Sequence, residues 1–500
     1  MNLVNWLEQR TGLVSATQDF LTEDVPGGAS YWYVFGSVTL FALTLQIVTG
    51  IFLTFYYAPS SATAWESTKY IYDHVPLGWF VMSLHYWGAT AMIALLFMHM
   101  LQVMIWGAYK APRELLWVVG VILLVVTLVL GLTGYLLPWD MNAYFASQVA
   151  INIASSVPIV GQATQQFLSG GPAMGTLTIN RFFGLHVWLM PAILVLLAAG
   201  HLTIFRHVTP AGPPIDIDQK KLPQGRFWPN QVFMDAVASF VIFIVMVVLS
   251  IMSPPGLDAK ADPLQRFTPY PAWYFLALYG LLRIAGNLPQ NIVPIANLFA
   301  TVIIPGGLVT VLILLPWLDR NPSRQLRRRP WLLGITAISI VVAVWLSIYS
   351  QMAIVKEQQE MAQGSPAAAA AAPASQGGSM QAGAPAGGTQ AVGGSQKGAQ
   401  VFAANCASCH GAQGGGTPGA FPPLAGNSDL NGDPAKIEHI VLYGLSSPLT
   451  VKGTTYNGTM PPWKGTLSNA DISAVLTFVR GSWGNHGTPV SAADVAKVAK

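Results

Sequence analysis

Residues 78–102, GWFVMSLHYWGATAMIALLFMHMLQ, carry two histidines, His85 and His99, inside an apolar run free of Asp, Glu, Lys and Arg. Residues 180–207, NRFFGLHVWLMPAILVLLAAGHLTIFRH, repeat the arrangement with His186 and His201. Each run is long enough to cross a hydrocarbon core of about 30 Å, which takes roughly 20 helical residues. Ionisable side chains are costly at that depth and usually turn inward. The first pair is fourteen residues apart; on an α-helix that step leaves two side chains about 40° from the same face and about 21 Å apart. The second pair is fifteen apart, which leaves about 60° in the other sense and about 22 Å.

The rest of the chain agrees with a membrane setting. Of 500 residues, 9% are charged and 52% hydrophobic, with mean hydropathy +0.47. A soluble chain averages about 25% charge, so a soluble globular protein and charge-driven disorder are both excluded. Seven apolar runs, at about 31–57, 78–105, 115–137, 183–205, 231–252, 294–317 and 331–352, are long enough to cross. Residues 1–30 carry Glu8, Arg10, Asp19, Glu23 and Asp24 and read as an interfacial segment, not a cleaved signal peptide. The net charge of +4 is too small and too evenly diluted to suggest a nucleic-acid partner. Lys and Arg number twelve in the segments on the N-terminal side and five in the alternate loops. The positive-inside rule then places the N-terminus in the cytoplasm and everything after residue 352 outside.

In this topology the second and fourth crossings run the same way. His85 is level with His186 near the outer surface, and His99 with His201 near the inner one. Two facing helices with a histidine at each of two levels make two stacked bis-histidine sites, for which the irons of two haems are the natural occupants. A lone membrane histidine is more often an interhelical hydrogen bond; four in this register call for ligands. Gly36 and Gly50 in the first crossing, and Gly120 and Gly134 in the third, share the fourteen-residue step. Missing side chains at two levels let a flat macrocycle approach the backbone, although each pair alone also suits ordinary helix packing. Arg181, just ahead of the fourth crossing, is placed to meet a haem propionate.

Between Gly364 and Gln396 the chain reads SPAAAAAAPASQGGSMQAGAPAGGTQAVGGS, a flexible linker. Residues 397–500 return to ordinary polarity. There the only two cysteines stand in CASCH at 406–410, the c-type haem attachment pattern: thioethers from Cys406 and Cys409, with His410 as axial ligand. GTMPPW at 458–463 supplies Met460 to complete a His/Met site. LSNADISAVLTFVRGSWG at 467–484 predicts a helix capped by Ser468 and Asp471, with Ile472, Val475, Leu476 and Val479 on its apolar face.

The histidine pairs, with PRELLWVVG at 112–120, GYLLPWD at 134–140 and NRFFGLH at 180–186, resemble the cytochrome b of quinol-oxidising bc1 and b6f complexes over roughly residues 20–350. The fifteen-residue step resembles the b6 type, and the part from FWPN at 227–230 to about 352 resembles subunit IV. The tail resembles class I cytochrome c, specifically domains fused to terminal oxidases. The expected fold is therefore all-α. A segment 1–30 precedes a four-helix haem domain at 31–226 and a three-helix domain at 227–354; a linker at 355–396 leads to a cytochrome c domain at 397–500.

The resemblance also implies quinone sites. TPYPAWYF at 268–275 resembles the family's PEWY segment beside the outer haem, with Pro271, Trp273 and Tyr274 shaping the pocket. Ala272 stands where the family has a glutamate proposed to take a quinol proton, which leaves Asp140, Asp262 and Tyr274 as candidate replacements. On the inner side Arg206, His207 and Asp235 gather where the family reduces quinone, Asp235 six residues after Pro229. Met82 replaces an arginine often found near the outer haem. Val34 stands where b6 proteins attach an additional haem, so no such haem is expected.

These features imply one chain of a bacterial quinol:cytochrome c reductase in the cytoplasmic membrane. Quinol is oxidised outside, electrons pass through the two b haems and outward to the c haem, and a proton-motive force is built. No cysteines remain for an iron–sulfur cluster, so the resemblance implies a separate Rieske partner. It also implies exchange with the quinone pool, delivery to a soluble or membrane cytochrome c or a terminal oxidase, and a homodimeric complex. Two other classes stay open: a non-bifurcating quinol dehydrogenase donating directly to its c haem, and a haem-based sensor.

Overall fold

The computed structural model describes all residues except 1, 172–173, 218–220, 264–266, 290, 365–396, 403–404, 407–409, 412–413, 417–420, 446–448, 457–459, 461, 466 and 500. Two short helices, α1 (Leu3–Thr11) and α2 (Leu13–Leu21), lead to strand β1 (Asp24–Pro26). This strand pairs antiparallel with β2 (Gln224–Arg226), Asp24 opposite Arg226, and so ties the N-terminal segment to the loop ahead of the fifth crossing.

Seven helices are long and apolar enough to cross a membrane: Tyr31–Thr54, Gly78–Trp106, Glu114–Tyr135, Thr176–Val208, Phe227–Met252, Ile295–Leu318 and Pro330–Gln359. They coincide with the seven runs read from the sequence. Their regular parts are α3 (Val34–Thr54), α5 (Gly78–Trp106), α6 (Glu114–Tyr135), α9 and α10 (Thr176–Gly184 and Met190–Val208), α11 (Val232–Met252), α14 (Ile304–Leu318) and α15 (Pro330–Gly364). Between the crossings lie α4 (Ala64–Asp73), α7 (Met141–Ser155), α8 (Gly161–Ser169), α12 (Leu276–Gly286) and α13 (Val293–Leu298). All are helical because lipid leaves backbone groups no other partners. Ile335, Ile338, Val341 and Trp345 of α15 point out of the fold, as lipid-facing side chains do.

α3 packs on α5, α6 on α10, and α11 against both α3 and α5, while α14 lies on α6 and α15 on α12. We call the face carrying α4, α7, α8 and α12 the upper face and its opposite the lower. On the lower face, Lys110 pairs with Asp319 at 2.7 Å. There the almost fully buried Arg329 donates to the carbonyls of Met104 and Ile105, fastening the end of α5 to the loop before α15.

One local feature corrects the spacing argument. Leu185–Leu189 form a π-helical turn between α9 and α10, and His186 lies inside it. A π-turn holds one residue more than an α-turn. It therefore absorbs the extra residue in the fifteen-residue step, so that the angular offset expected for His186 and His201 shrinks toward that of His85 and His99.

In the C-terminal part, α16 (Pro434–Tyr443), α17 (Asn469–Arg480) and α18 (Ala492–Val498) surround a core, with a hairpin of β3 (Leu449–Val451) and β4 (Thr454–Tyr456). Ser468 caps α17 by accepting from the Asp471 N–H. Ile472, Val475, Leu476 and Val479 are buried together with Phe402 and Leu442, as the periodicity requires.

α12 and α15 approach so closely that a Cβ on Gly280 would lie 2.6 Å from the Leu346 carbonyl oxygen. Gly280→Ala should therefore push these helices apart, costing about 1–3 kcal/mol. Thermal unfolding of the purified protein checks this.

Candidate haem and quinone sites

His85 on α5 and His186 at the start of the fourth crossing face each other, ring centroids 6.3 Å apart and planes nearly perpendicular at 80°. Two imidazoles on opposite sides of one metal ion, each about 2 Å from it, put their ring centres a little over 6 Å apart. The gap thus fits one metal ion held from both sides. Thr49 Oγ1 lies 2.9 Å from His85 Nδ1. His186 Nδ1 lies 3.0 Å from the Leu130 carbonyl and 3.3 Å from Thr133 Oγ1. With Nδ1 engaged on both rings, Nε2 is left as the ligand atom. The threonines escaped the sequence reading. Their signal was a Thr-Gly pair, Thr49-Gly50 and Thr133-Gly134, standing once in each neighbouring helix.

The four expected glycines each abut one of the four histidines. A Cβ on Gly50 would sit 3.3 Å from His85 Cε1, on Gly36 3.4 Å from His99 Cε1, on Gly120 3.4 Å from His201 Cε1, and on Gly134 only 2.4 Å from His186 Cε1. Gly36 and Gly120 thus mark the lower level, with His99 and His201, and Gly50 and Gly134 the upper. Their role is sharper than room for a macrocycle: they seat the edge of each imidazole. At the lower level, His99 Nδ1 is buried without a partner, and His201 Nδ1 faces the Leu116 carbonyl outside hydrogen-bonding geometry.

Arg181 has partners within the chain itself. Its guanidinium donates to the carbonyls of Gln166 and Phe167 and lies over the Phe167 ring, closing the end of α8.

On the upper face, Pro271 and Ala272 lead into a helical turn, Trp273–Phe275, that continues as α12. Trp273 packs edge-on against Phe97 of α5, ring centroids 6.4 Å apart. Tyr274 reaches α6, where its hydroxyl would be 2.8 Å from a Cβ on Gly131. The segment therefore leans on both helices that frame the upper histidine pair. Beside it runs a polar chain. Tyr135 donates to the Tyr270 carbonyl at 2.8 Å, and Asn142 bonds Tyr135 and both backbone groups of Tyr270. The Tyr270 hydroxyl donates to Asp258 at 3.0 Å, and the Asp258 N–H donates to Asp140 at 3.3 Å. Burial, with the Asp258 charge adding to it, raises the Asp140 pKa. Of the three sequence candidates for a proton acceptor, Asp140 thus joins this chain, whereas the backbone of Asp262 packs on the Met141 sulfur.

On the lower face Asp235 accepts from Gln231 at 2.9 Å. Gln231 in turn bonds both backbone groups of Ser30. Arg206 pairs with Glu23 at 3.8 Å; burial raises the Glu23 pKa, and the arginine only partly offsets it. His207 is exposed. Glu23 and Gln231 were missed; only Gln231, one turn ahead of Asp235, left a pattern to find.

In the C-terminal part His410 Nδ1 lies 2.9 Å from the Pro422 carbonyl, again leaving Nε2 as the ligand atom. Met460 is held by a two-bond bridge to Leu445. Cys406 carries a thiol half-buried beside the core; Cys409 lies outside the described residues.

Family models match at three places: Cytochrome b/b6/petB over residues 20–209, Cytochrome b(C-terminal)/b6/petD over 260–368, and Cytochrome c over 395–483. Cytochrome b of Allochromatium vinosum is 30% identical over 371 residues, covering 69% of this chain and 88% of its own. The chain belongs to the cytochrome b family. It is a multi-pass membrane cytochrome b that carries a cytochrome c domain, and these families bind haem b and haem c. This cytochrome b is also 41% identical to the menaquinol:cytochrome c reductase cytochrome b subunit of Geobacillus thermodenitrificans over 219 residues, 42% of this chain and 98% of that one. A solved structure titled "Hyperthermophilic respiratory Complex III" aligns with TM-score 0.62 at 29% identity, covering 70% of this chain and 91% of that chain.

The glycine contacts set an order of sensitivity. Gly134→Ala meets a ring at 2.4 Å and should abolish the spectrum of the upper b-type haem, whereas Gly36→Ala at 3.4 Å should leave the lower one within about 80% of full occupancy. Reduced-minus-oxidised spectra of the two purified variants check this.

Proposed function

We propose that this cytochrome b is the quinol-oxidising, electron-carrying subunit of a bacterial quinol:cytochrome c reductase. The observation that carries the reading is the two-level register of His85 and His186 above His99 and His201, each ring beside a glycine. In this reading residues 31–226 form the haem domain, 227–354 the three-helix domain and 355–396 the tether to a cytochrome c domain at 397–500. The N-terminus is cytoplasmic and the upper face extracytoplasmic, as the loop charges require.

Haem b at each histidine pair and haem c on Cys406, Cys409, His410 and Met460 would supply one-electron transfer across the membrane and outward. The protein's own residues do the rest. Pro271, Trp273 and Tyr274 shape an apolar pocket beside the upper pair, Trp273 wedged on Phe97 and Tyr274 on Gly131. A quinol losing two electrons there releases two protons, and Ala272 accepts none. A quinol proton taken up by the Tyr270 hydroxyl oxygen as that hydroxyl's own proton passes to Asp258 leaves at the upper surface, and Asp140 fixes the Asp258 backbone. On the lower face Asp235, oriented by Gln231, delivers protons to a reduced quinone, with Arg206 and His207 drawing the anionic ring. The name of the Geobacillus relative favours menaquinol as substrate. A Rieske iron–sulfur protein takes the other electron, the complex is a homodimer, and a cytochrome c or terminal oxidase receives the product electrons.

One observation favours a second reading. With Ala272 in the quinol loop, a non-bifurcating dehydrogenase could pass both electrons to the c haem. The purified complex separates the two: quinol-dependent cytochrome c reduction should stop with a Rieske-site inhibitor, and full activity in its presence would establish the second reading.

Asp258→Asn should lower kcat on the order of tenfold by removing the acceptor of the Tyr270 proton, while Asp262→Asn stays within about twofold. Steady-state assays of both variants across pH check the assignment.

A further inference from the structure

Three loops of the lower face enclose a cavity of about 560 Å³: Ala111–Arg113 between α5 and α6, Ile215–Ile217 after α10, and the loop from Pro322 to Arg328 between α14 and α15. Its charged lining is three cations, Arg113, Arg324 and Arg328, and one carboxylate, Asp216. Arg113 donates Nε to the Thr209 carbonyl at 3.1 Å and Nη2 to the Val208 and Pro210 carbonyls at 3.2 and 3.4 Å. Arg324 donates Nε to the Trp106 carbonyl at 3.2 Å and Nη2 to the Gly212 carbonyl at 2.6 Å. Carbonyls fix both guanidinium groups and neutralise neither, and among the described residues Nη1 of each has no partner. Asp216 is taken up by the loop itself: it accepts from the Ser323 hydroxyl at 2.6 Å, the Arg324 N–H at 3.0 Å and Arg328 Nη1 at 3.3 Å. Burial, with the Arg113 charge adding to it, lowers the Arg324 pKa to about 10. Like charges held together this way favour an anion among them.

The setting selects the anion. The cavity lies where α5, α10 and α14 end, at Trp106, Val208 and Leu318, and where α6 and α15 begin, at Glu114 and Pro330. That is the level of lipid headgroups. Ile215 and Ile217 stand exposed beside the arginines, an apolar lining that a free phosphate ion does not use and that the glycerol and acyl carbons of a lipid cover. We infer that Arg113, Arg324 and Arg328 form a site for the phosphate of an anionic phospholipid, with Nη1 of Arg113 and Arg324 donating to its oxygens. Arginines that serve only the positive-inside rule need no fixed orientation; Arg113 and Arg324 are set in place by five bonds to carbonyls before any ligand arrives. A headgroup held there bridges the loops that follow α5 and α10 to the one ahead of α15.

The test uses the full chain in its complex, stripped of lipid in neutral detergent, with dihexanoyl phosphatidylglycerol, dihexanoyl phosphatidylcholine and inorganic phosphate as probes. Native mass spectrometry counts what is retained, and the rise in unfolding temperature with probe concentration gives the affinity. Wild type should bind phosphatidylglycerol about tenfold tighter than either other probe. Arg328→Gln, at a side chain 65% exposed, should weaken that binding about fivefold with haem content unchanged. Asp216→Asn keeps an acceptor oxygen and removes the opposing charge, so it should tighten binding about threefold. Arg320→Gln, at an exposed arginine of the same loop that does not line the cavity, should leave binding as in wild type. Weaker binding in Asp216→Asn and Arg328→Gln alike, the mark of a merely structural loop, would overturn the inference. So would equal weakening by Arg320→Gln, which signals unspecific attraction, or no preference for phosphatidylglycerol over phosphatidylcholine. Inorganic phosphate binding as tightly as phosphatidylglycerol would assign the cavity to a free phosphate and overturn the lipid reading.

Discussion

A histidine ring inside a membrane has two nitrogens to satisfy and no water to satisfy them. At the upper pair Nδ1 is engaged by Thr49 on one ring and by the Leu130 carbonyl and Thr133 on the other, so Nε2 of each ring faces a gap of metal-bearing width. At the lower level His99 Nδ1 is buried without a partner, so what both levels share and what organises the bundle is the need for a seat for each ring on a neighbouring helix. It demands a glycine on the neighbouring helix where each ring sits. It demands that glycines and histidines share a step of about fourteen residues, and it demands a π-turn at Leu185–Leu189 where the histidine step is fifteen.

The two faces then differ in what surrounds the pairs. The upper face carries an apolar turn of Trp273 and Tyr274 flanked by a tyrosine–asparagine–aspartate chain. The lower face carries the Asp235 carboxylate, held by the Gln231 amide, and Arg206 paired to Glu23 next to the β1–β2 ribbon in sequence. An aromatic pocket with a carboxylate outlet suits proton release, and a carboxylate fixed by an amide suits proton delivery. In the proposed function this asymmetry gives the electron path its direction.

Much of this was legible in the sequence because membrane helices are written in long, unambiguous strings. Seven crossings, the four histidines, their glycines and the α17 cap of Ser468 all follow from spacing. What escaped depends on side-chain geometry that spacing does not encode. Arg181, expected at a haem propionate, also donates to carbonyls at the end of α8, a contact that no motif announces. Asp258 and Tyr270 have no motif; they meet only because the loop folds back on Trp139 and Asp140. Glu357 stands with Lys356 just after an apolar run, and only the packing of α12 on α15 brings Arg283 to it.

The central claim is that two independent histidine pairs each hold one haem b. The direct measurement is the haem content of purified protein in which His99 alone is replaced by alanine. One haem b and the covalent haem c should remain, with the upper haem's spectrum unchanged. Retention of two haems b, or loss of both from a chain that still carries its haem c, would contradict the account.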